Sequence, residues 1–147
     1  MSQPGRGDVV LAFDFGERRI GVAIGNLITA TAAPLVTIRC SGTEWNDIRS
    51  CIDEWHPYAL VVGLPYNADG SESEMTLRAR KFAQRLRGRF GLPVHEIDER
   101  WTSREAEGVL REQRQSGVRP RRLQADDTDR EAARLILESW LNRRQDG

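Results

Sequence analysis

Three acidic side chains lie near predicted strand ends or at the head of a buried helical stripe, and together they suggest metal chemistry. Asp14 lies near the end of an apolar run, Glu99 lies just past the predicted strand over 94–97, and Asp129 precedes the alanines that begin an apolar helical stripe. An unsatisfied buried polar group costs roughly 2–7 kcal/mol and a charge costs more, so such acids need a cation or several donors. Mg²⁺ is bound by one or two carboxylates with water and phosphate oxygens, and paired ions can activate water. The three acids therefore predict a divalent-metal site that acts on a phosphate ester.

Asp14 and Asp129 also have purely structural explanations. Asp14 could accept hydrogen bonds from the turn amides of residues 16–18, and its strand supports either role equally. Asp129 falls in the first turn of a predicted helix, where a negative charge complements the helix dipole for roughly 0.3–1 kcal/mol without any metal. The residue types leave both roles open.

Glu99 has a neighbour that competes for the same role. Asp98 stands beside it, and adjacent strand residues point to opposite faces, so only one of the two is expected to face Asp14. The structural alternative for Glu99 is a surface salt bridge with Arg100 or Arg104. The sequence does not choose between the two acids.

A predicted hairpin would position the first of the three acids. Two β-rich apolar runs, Val9–Phe15 and Ile20–Gly25, are separated by four residues, which is typical of a tight hairpin. Alternation along the first run places Asp14 on the same face as Val10 and Ala12. The opposite face carries Leu11, Phe13 and Phe15.

The remaining elements alternate between helices and strands. Periodicity and capping boxes predict, in order, a strand at Thr31–Ile38, a helix from Thr43 to Trp55, a strand at Ala59–Gly63, a helix opened by Ser71 with Glu74, a strand at Val94–Ile97, a helix from Thr102 with Glu105 to about Arg114, and a last helix opened by Thr128 with Glu131. The helical stripes expected in the core are Trp45, Ile48, Ile52 and Trp55, then Met75, Ala79, Phe82, Ala83 and Leu86, then Ala132, Ala133, Ile136, Leu137, Trp140 and Leu141.

This order of elements predicts an α/β fold with a mixed five-stranded sheet. Three strands form an antiparallel meander, two further strands run parallel to the first, and helices cover the faces of the sheet. Ligands favour the carboxyl ends of parallel strands, and Asp14 and Glu99 both lie near such ends.

Length and composition are those of one soluble domain. The 147 residues, 39% hydrophobic and 30% charged, form a single domain over 1–147 with a folded core expected over 8–142. No apolar run approaches the ~20 residues of a membrane helix, and the N-terminus carries no export signal, so a cytoplasmic location is expected. The cysteines and the isolated His56 and His95 offer no zinc-site spacing.

Charge is segregated along the chain although it sums to zero. Residues 1–77, 78–122 and 123–147 carry net charges of −5, +7 and −2. The basic middle is nearly all arginine, whose planar guanidinium suits phosphate. The loss of periodicity predicts a mobile basic loop over 113–127, and the spacing of Arg78, Lys81, Arg85 and Arg89 predicts a basic ridge along a helix. A solvated helix face and the base composition of the genome explain the same residues, so phosphate binding stays one interpretation of two.

Four ordered motifs identify a related family. DFGERRIGVAIG, VVGLPYNADGSE, IDERWTSREAE and DREAARLILESWL resemble the YqgF family of RNase H-like proteins, across most of residues 9–141. That family is associated with precursor 16S rRNA processing and, earlier, with Holliday-junction resolution. The resemblance implies an RNase H-like fold and a cytoplasmic nuclease that uses Mg²⁺ or Mn²⁺ to process the 5′ end of precursor 16S rRNA. By motif it implies Asp14, Glu99 and Asp129 as the catalytic and metal-binding residues.

The resemblance also implies partners and leaves rivals. Precursor 16S rRNA or a pre-ribosomal particle is the expected partner of a monomer or weak homodimer, with no membrane. A Holliday junction resolvase acting on branched DNA and a nucleic-acid-binding protein without catalysis are the alternatives. The side chains expected to contact nucleic acid are Arg18, Arg19, Asn67, Arg78, Lys81, Arg85, Arg100, Arg121 and Arg122.

The chain departs from the family pattern near two of the acids. Trp101 follows the DER motif where the family usually has leucine. Arg130 and Glu131 stand between Asp129 and its alanines, where small or apolar residues are usual. Arg130 could pair with Asp129 and would then compete there with a metal ion, a question that the sequence leaves open.

Overall fold

A computed structural model describes residues 8–100 and 125–146, and it places five strands in one sheet. The strands are β1 (Val9–Asp14), β2 (Arg19–Asn26), β3 (Thr31–Arg39), β4 (Ala59–Leu64) and β5 (Val94–Asp98). Their order across the sheet is β3-β2-β1-β4-β5. β1, β2 and β3 pair antiparallel, whereas β4 runs parallel to β1 and β5 parallel to β4. The predicted mixed sheet is therefore confirmed.

Three helices of the described residues cover the two faces of this sheet. They are α1 (Glu44–Trp55), α2 (Glu74–Phe90) and α3 (Ala125–Asp146). One core cluster joins Leu11 and Phe13 of β1 to α1 and α2, and the other joins Val10 and Ala12 to α3. Alternation along β1 thus divides its side chains between two cores, as predicted. Asp14, in phase with Val10 and Ala12, lies on the α3 face.

Two predicted helix starts are wrong. α2 is capped by Ser73, not Ser71: the Ser73 hydroxyl accepts from the Thr76 amide, and the Thr76 side chain accepts from the Ser73 amide. α3 begins at Ala125, so Thr128 lies inside the helix and opens no capping box with Glu131. Because α3 begins at Ala125, residues 125–127 of the loop predicted over 113–127 are helical. Residues 113–124 lie outside the described residues.

The predicted core stripes are correct apart from their margins. Trp55, predicted to be buried, is 36% exposed at the end of α1, whereas Ile48 is fully buried. Met75 and Ala132 are half-buried. The helix predicted between Thr102 and Arg114 lies outside the described residues. Among the helices that the structure describes, none is long and apolar enough to span a membrane.

Candidate active site

Asp14 and Glu99 meet at the carboxyl ends of the parallel strands. Asp14 is the last residue of β1, and Glu99 follows β5, where its backbone amide donates to the Leu64 carbonyl over 2.9 Å. The two side chains hydrogen-bond to each other. Asp98 turns away and pairs with Arg100 over 2.6 Å. Glu99, rather than Asp98, is therefore the acid that faces Asp14.

Burial and mutual repulsion make this pair of carboxyl groups hard to ionise. Burial first, then the charge of Glu99 and the hydrogen bond that protonated Asp14 donates to Glu99, raise the pKa of Asp14 well above its usual range. Burial, and then the charge of Asp98, raise the pKa of Glu99, although its hydrogen bond to Asp14 acts the other way. Two carboxyl groups in contact in a poorly solvated place favour a shared proton or a cation.

Two glycines lack the side chains that would otherwise occupy the space taken by these acids. Gly21 pairs with Asp14 across the hairpin, and a methyl group built on it would lie 1.9 Å from the carbonyl oxygen of Asp129. Gly63 follows Val62, the β4 partner of Phe13, and so continues the register beside Asp14. A methyl group there would lie 2.6 Å from Oε1 of Glu99.

The two glycines thus arrange three acids in a row across the sheet. The backbone of Asp129 lies over Gly21, Asp14 occupies the middle strand, and the side chain of Glu99 lies over Gly63. A glycine within a strand often marks such a close approach of another chain segment. In the sequence, the signal for these two positions is a glycine inside each of two predicted apolar strands.

Asp129 is held by Arg19, not by Arg130. Nε of Arg19 donates to Oδ2 of Asp129 over 2.6 Å, and this contact raises the pKa of the Arg19 guanidinium. Arg130 instead pairs with Asp127, one helical turn earlier. The competition from Arg130 that the sequence leaves open is therefore not found, since adjacent residues of a helix do not face each other.

The donor set suits a divalent cation at Asp14 and Glu99. Hard cations such as Mg²⁺ prefer carboxylate oxygens, and a cation would relieve the repulsion that raises both pKa values. Asp129 raises the pKa of Asp14 through its charge, so it acts on the same place, although one of its oxygens is taken by Arg19. Within residues 8–100 and 125–146, no three acidic, histidine or cysteine side chains are already arranged to hold an ion together.

A cavity of about 300 Å³ lies beside Asp129, along the β1–β2 turn. Arg18 and Arg19, both predicted to contact nucleic acid, line it together with Gly16, Glu17 and Met75. Two arginines therefore line a cavity at the Asp129 end of the row of acids, where a phosphate bound at these acids would need positive charge.

Several predicted nucleic-acid contacts are engaged within the protein. Arg78 forms salt bridges with Glu17 and Glu74, and Arg100 pairs with Asp98. The Asn67 side chain donates to the Ser71 hydroxyl over 2.9 Å within the β4–α2 loop.

The other predicted contacts divide between the α2 surface and the undescribed segment. Lys81 and Arg85 are exposed on α2. Arg121 and Arg122 lie outside the described residues, as does Arg104. The structure therefore brings Arg18 and Arg19 to the acids and places the exposed cations of α2 beyond the hairpin turn.

Sequence comparison gives a family and named relatives. The model of the RuvX family, Holliday junction resolvase, matches residues 8–143. A protein of Burkholderia pseudomallei (strain 668) named "Putative pre-16S rRNA nuclease" is 48% identical over 139 residues, which cover 93% of this chain and 90% of that protein. A Burkholderia cenocepacia (strain HI2424) protein of the same name is 47% identical over 143 residues, with coverages of 96% and 93%.

Comparison of structures identifies the fold. RuvC of T. thermophilus, solved in complex with a Holliday junction substrate, superposes with a TM-score of 0.59 at 14% identity, over 94% of this chain and 96% of RuvC. The yeast mitochondrial Holliday junction resolvase Ydc2 gives a TM-score of 0.54 at 9% identity, with coverages of 95% and 80%. At such identities the likeness concerns the fold alone, and it confirms the predicted RNase H-like architecture.

Proposed function

The chain belongs to the RuvX family of Holliday junction resolvases, a family of nucleases, and on that premise we propose that it is a divalent-metal-dependent nuclease that processes the 5′ end of precursor 16S rRNA. The observation that carries the proposal is the contact between the half-buried side chains of Asp14 and Glu99, whose pKa values are raised by desolvation and by neighbouring acids. Such an arrangement is unfavourable for folding and is common where a site must bind a cation. The choice of RNA rests on the names of relatives that share about half of the residues.

Asp14 and Glu99 are the residues that would hold Mg²⁺ or Mn²⁺, and Asp129, whose charge raises the pKa of Asp14, would be the third acid of the site. Such an ion supplies a Lewis acid for the phosphate and lowers the pKa of the attacking water. The protein's own contribution is position: Gly21 and Gly63 let the acids approach one another on a rigid sheet.

The arginines of the hairpin turn would hold the substrate. Arg18 and Arg19 line the cavity next to Asp129, and a guanidinium group binds phosphate oxygens through two parallel hydrogen bonds. Arg19, which donates to Asp129 in the structure, would also lie within reach of a phosphate held beside that acid.

The expected setting follows from the substrate. Precursor 16S rRNA, free or within a pre-ribosomal particle, is present in the bacterial cytoplasm, and we place the protein there as a monomer or weak homodimer. One set of acids suffices to trim one RNA strand, so the proposed reaction requires no second subunit.

Cleavage of a 5′-extended precursor 16S rRNA fragment tests the proposal. Wild-type protein with Mg²⁺ should shorten the 5′ end, as read by primer extension, and Asp14→Asn should abolish the reaction. Asp127→Asn is the matched control, because it makes the same chemical change on α3 at an acid that Arg130 occupies. Unchanged cleavage by Asp14→Asn would sink the assignment, and binding without turnover in any divalent metal would indicate a non-catalytic protein.

Resolution of four-way DNA junctions is the second candidate, because the family model is named for that activity. The acids would serve the same role, but symmetric cuts require two active sites related by a twofold axis. Sedimentation of the protein with and without a four-way junction separates the two functions. A dimer that introduces paired nicks favours resolution, and a monomer that leaves junctions intact favours RNA processing.

A further inference from the structure

A second cavity of about 280 Å³ lies on the other face of the sheet, beside the same hairpin turn. Its floor is aromatic: Phe15, Trp45 and Phe82 line it. The ring centroids of Phe15 and Phe82 are 5.0 Å apart, and those of Trp45 and Phe82 are 5.5 Å apart. Phe82 is buried in the core, but Phe15 and Trp45, which pack against it, are only half-buried and remain accessible from the cavity. The cavity thus offers flat apolar surface to a small ligand.

The rim of this cavity carries the basic ridge of α2. Arg78, Lys81 and Arg85 line it, and all three are exposed. Positions three and four residues apart lie on one face of a helix, so these cations project to the same side. The cavity could therefore attract one ligand in two ways, by stacking on its aromatic rings and by the positive charge at its rim.

The acids of the rim are already engaged. Glu17 pairs with Arg78, and Oε1 of Glu44 accepts from the Gly42 amide over 2.8 Å. Burial, and then the charge of Glu44, raise the pKa of the Cys40 thiol, which lines the same cavity and stays neutral. Lys81 and Arg85 are therefore the charges that a ligand would meet at the open side.

The hairpin turn separates this aromatic cavity from the cavity beside Asp129. Gly16 and Glu17 line both cavities, whereas Arg19 and Asp129 line only the cavity beside Asp129. A nucleic-acid strand whose phosphate lies at the acids would therefore reach the aromatic cavity by crossing the turn.

We propose that the aromatic cavity binds one unpaired nucleotide of the nucleic-acid substrate, with its base on Phe15 and Trp45 and its phosphate at Lys81 and Arg85. A volume of about 280 Å³, just below the ~300–1,000 Å³ of small-molecule sites, suits one nucleoside rather than a larger ligand. Aromatic stacking tolerates every base, so the site would select a nucleotide by its position along the strand and not by the identity of its base. The inference rests on the proposed function only in taking nucleic acid as the ligand.

Binding measured without cleavage tests this site. The probe is a single-stranded RNA of ten to twelve nucleotides, offered to Asp14→Asn protein in EDTA, with 2-aminopurine placed at each position in turn. Stacking quenches this base, so one position should be quenched far more strongly than the others. An abasic residue at that position should weaken binding about tenfold, the effect of one lost stacking contact. A DNA strand of the same sequence shows whether the ribose contributes.

Charge variants test the rim of the cavity. Lys81→Gln with Arg85→Gln should reduce the slope of log affinity against log salt by about 1.4, as expected for two lost phosphate contacts on a single strand. Arg49→Gln with Arg144→Gln removes the same charge from exposed positions that do not line this cavity, and it should leave both slope and quenching unchanged.

The outcomes separate this inference from the nuclease assignment. Uniform weak quenching at all positions, or equal losses in the two charge variants, would overturn the nucleotide site even if the protein cleaves RNA. Position-specific quenching in a protein that never cleaves would support the site and remove the nuclease assignment.

Discussion

Arg19 binds Asp129 across 110 residues of sequence, with Nε 2.6 Å from Oδ2. The contact ties the first residue of β2 to the first turns of α3, directly over Gly21. Asp129 is thus oriented by an arginine of the hairpin, the same element that carries Asp14. The hairpin therefore controls two of the three acids, one through its backbone and one through a salt bridge.

Removal of the Arg19 charge should strengthen cation binding. In Arg19→Gln, the Asp129 carboxylate loses its Arg19 partner beside Asp14 and Glu99, and the site has one positive charge fewer. We expect the affinity for Mn²⁺, measured by isothermal titration calorimetry, to rise several-fold, while cleavage of RNA falls because a phosphate contact is lost.

Arg130→Gln is the control for this change. Arg130 pairs with Asp127, so its loss should leave the Mn²⁺ affinity at the wild-type value. An equal rise in both variants would mean that only the net charge of the protein matters, and an unchanged affinity in Arg19→Gln would mean that Asp129 takes no part in binding.

The charge of Asp14 should lower the stability of the metal-free protein. The folded-state pKa of Asp14 is raised by burial and by Glu99, so the folded protein binds a proton more tightly than the unfolded chain. The associated stability is present at low pH and is lost as pH rises toward that folded pKa. In EDTA, Asp14→Asn should therefore gain stability over wild type as pH rises from about 4, the usual pKa of an aspartate, toward the raised folded pKa, by about 1.4 kcal/mol for each pH unit in that interval.

Denaturant unfolding at a series of pH values measures this difference. Burial, and then Arg144 and Arg87, lower the pKa of His95, which costs stability as pH falls below about 6.5. That cost occurs in both proteins and cancels in the comparison. Saturating Mg²⁺ should stabilise wild type and not Asp14→Asn. A stability difference that does not change with pH would contradict the shifted pKa.

Alanine at Gly21 should damage the packing of α3. The added methyl group would meet backbone atoms of Asp129, which cannot move without shifting the helix. Overpacking of this kind costs about 1–3 kcal/mol, and we expect at least that loss in urea denaturation.

Alanine at Gly63 should affect the site more than the fold. The new methyl group would meet the Glu99 side chain and the end of the Ile136 side chain, which are flexible compared with backbone. We expect a clear loss of metal affinity and cleavage with a smaller loss of stability. Gly88→Ala is the control: nothing lies within 4 Å in helix α2, so it should gain about 0.5–1 kcal/mol. Equal effects at positions 63 and 88 would refute the role of Gly63.

Strands and faces were predictable because they depend on local alternation. The apolar run Val9–Phe15 could satisfy both cores only as a strand, and the structure divides it as predicted. The helix starts were less predictable, since serines at 71 and 73 both offer a cap. At α3 tertiary contacts decide: the Thr37 hydroxyl donates to the Asp126 carbonyl over 2.6 Å, which holds the helix start against β3.

The acids were predictable individually, but their partners were not. The motifs and strand ends pointed to Asp14 and Glu99, and the structure brings these two together. The pairing of Arg19 with Asp129 depends on how α3 crosses β2, which no local pattern encodes. The actual partner of Arg130 was predictable, because its spacing of three residues from Asp127 suits a helical salt bridge.

A crystal structure with Mn²⁺ is the most direct test of the claim that Asp14 and Glu99 form a metal centre. Anomalous scattering should place an ion between the two carboxylates, with their mutual hydrogen bond replaced by bonds to the metal. If saturating Mn²⁺ leaves the two side chains hydrogen-bonded to each other and binds elsewhere, the proposed centre is contradicted.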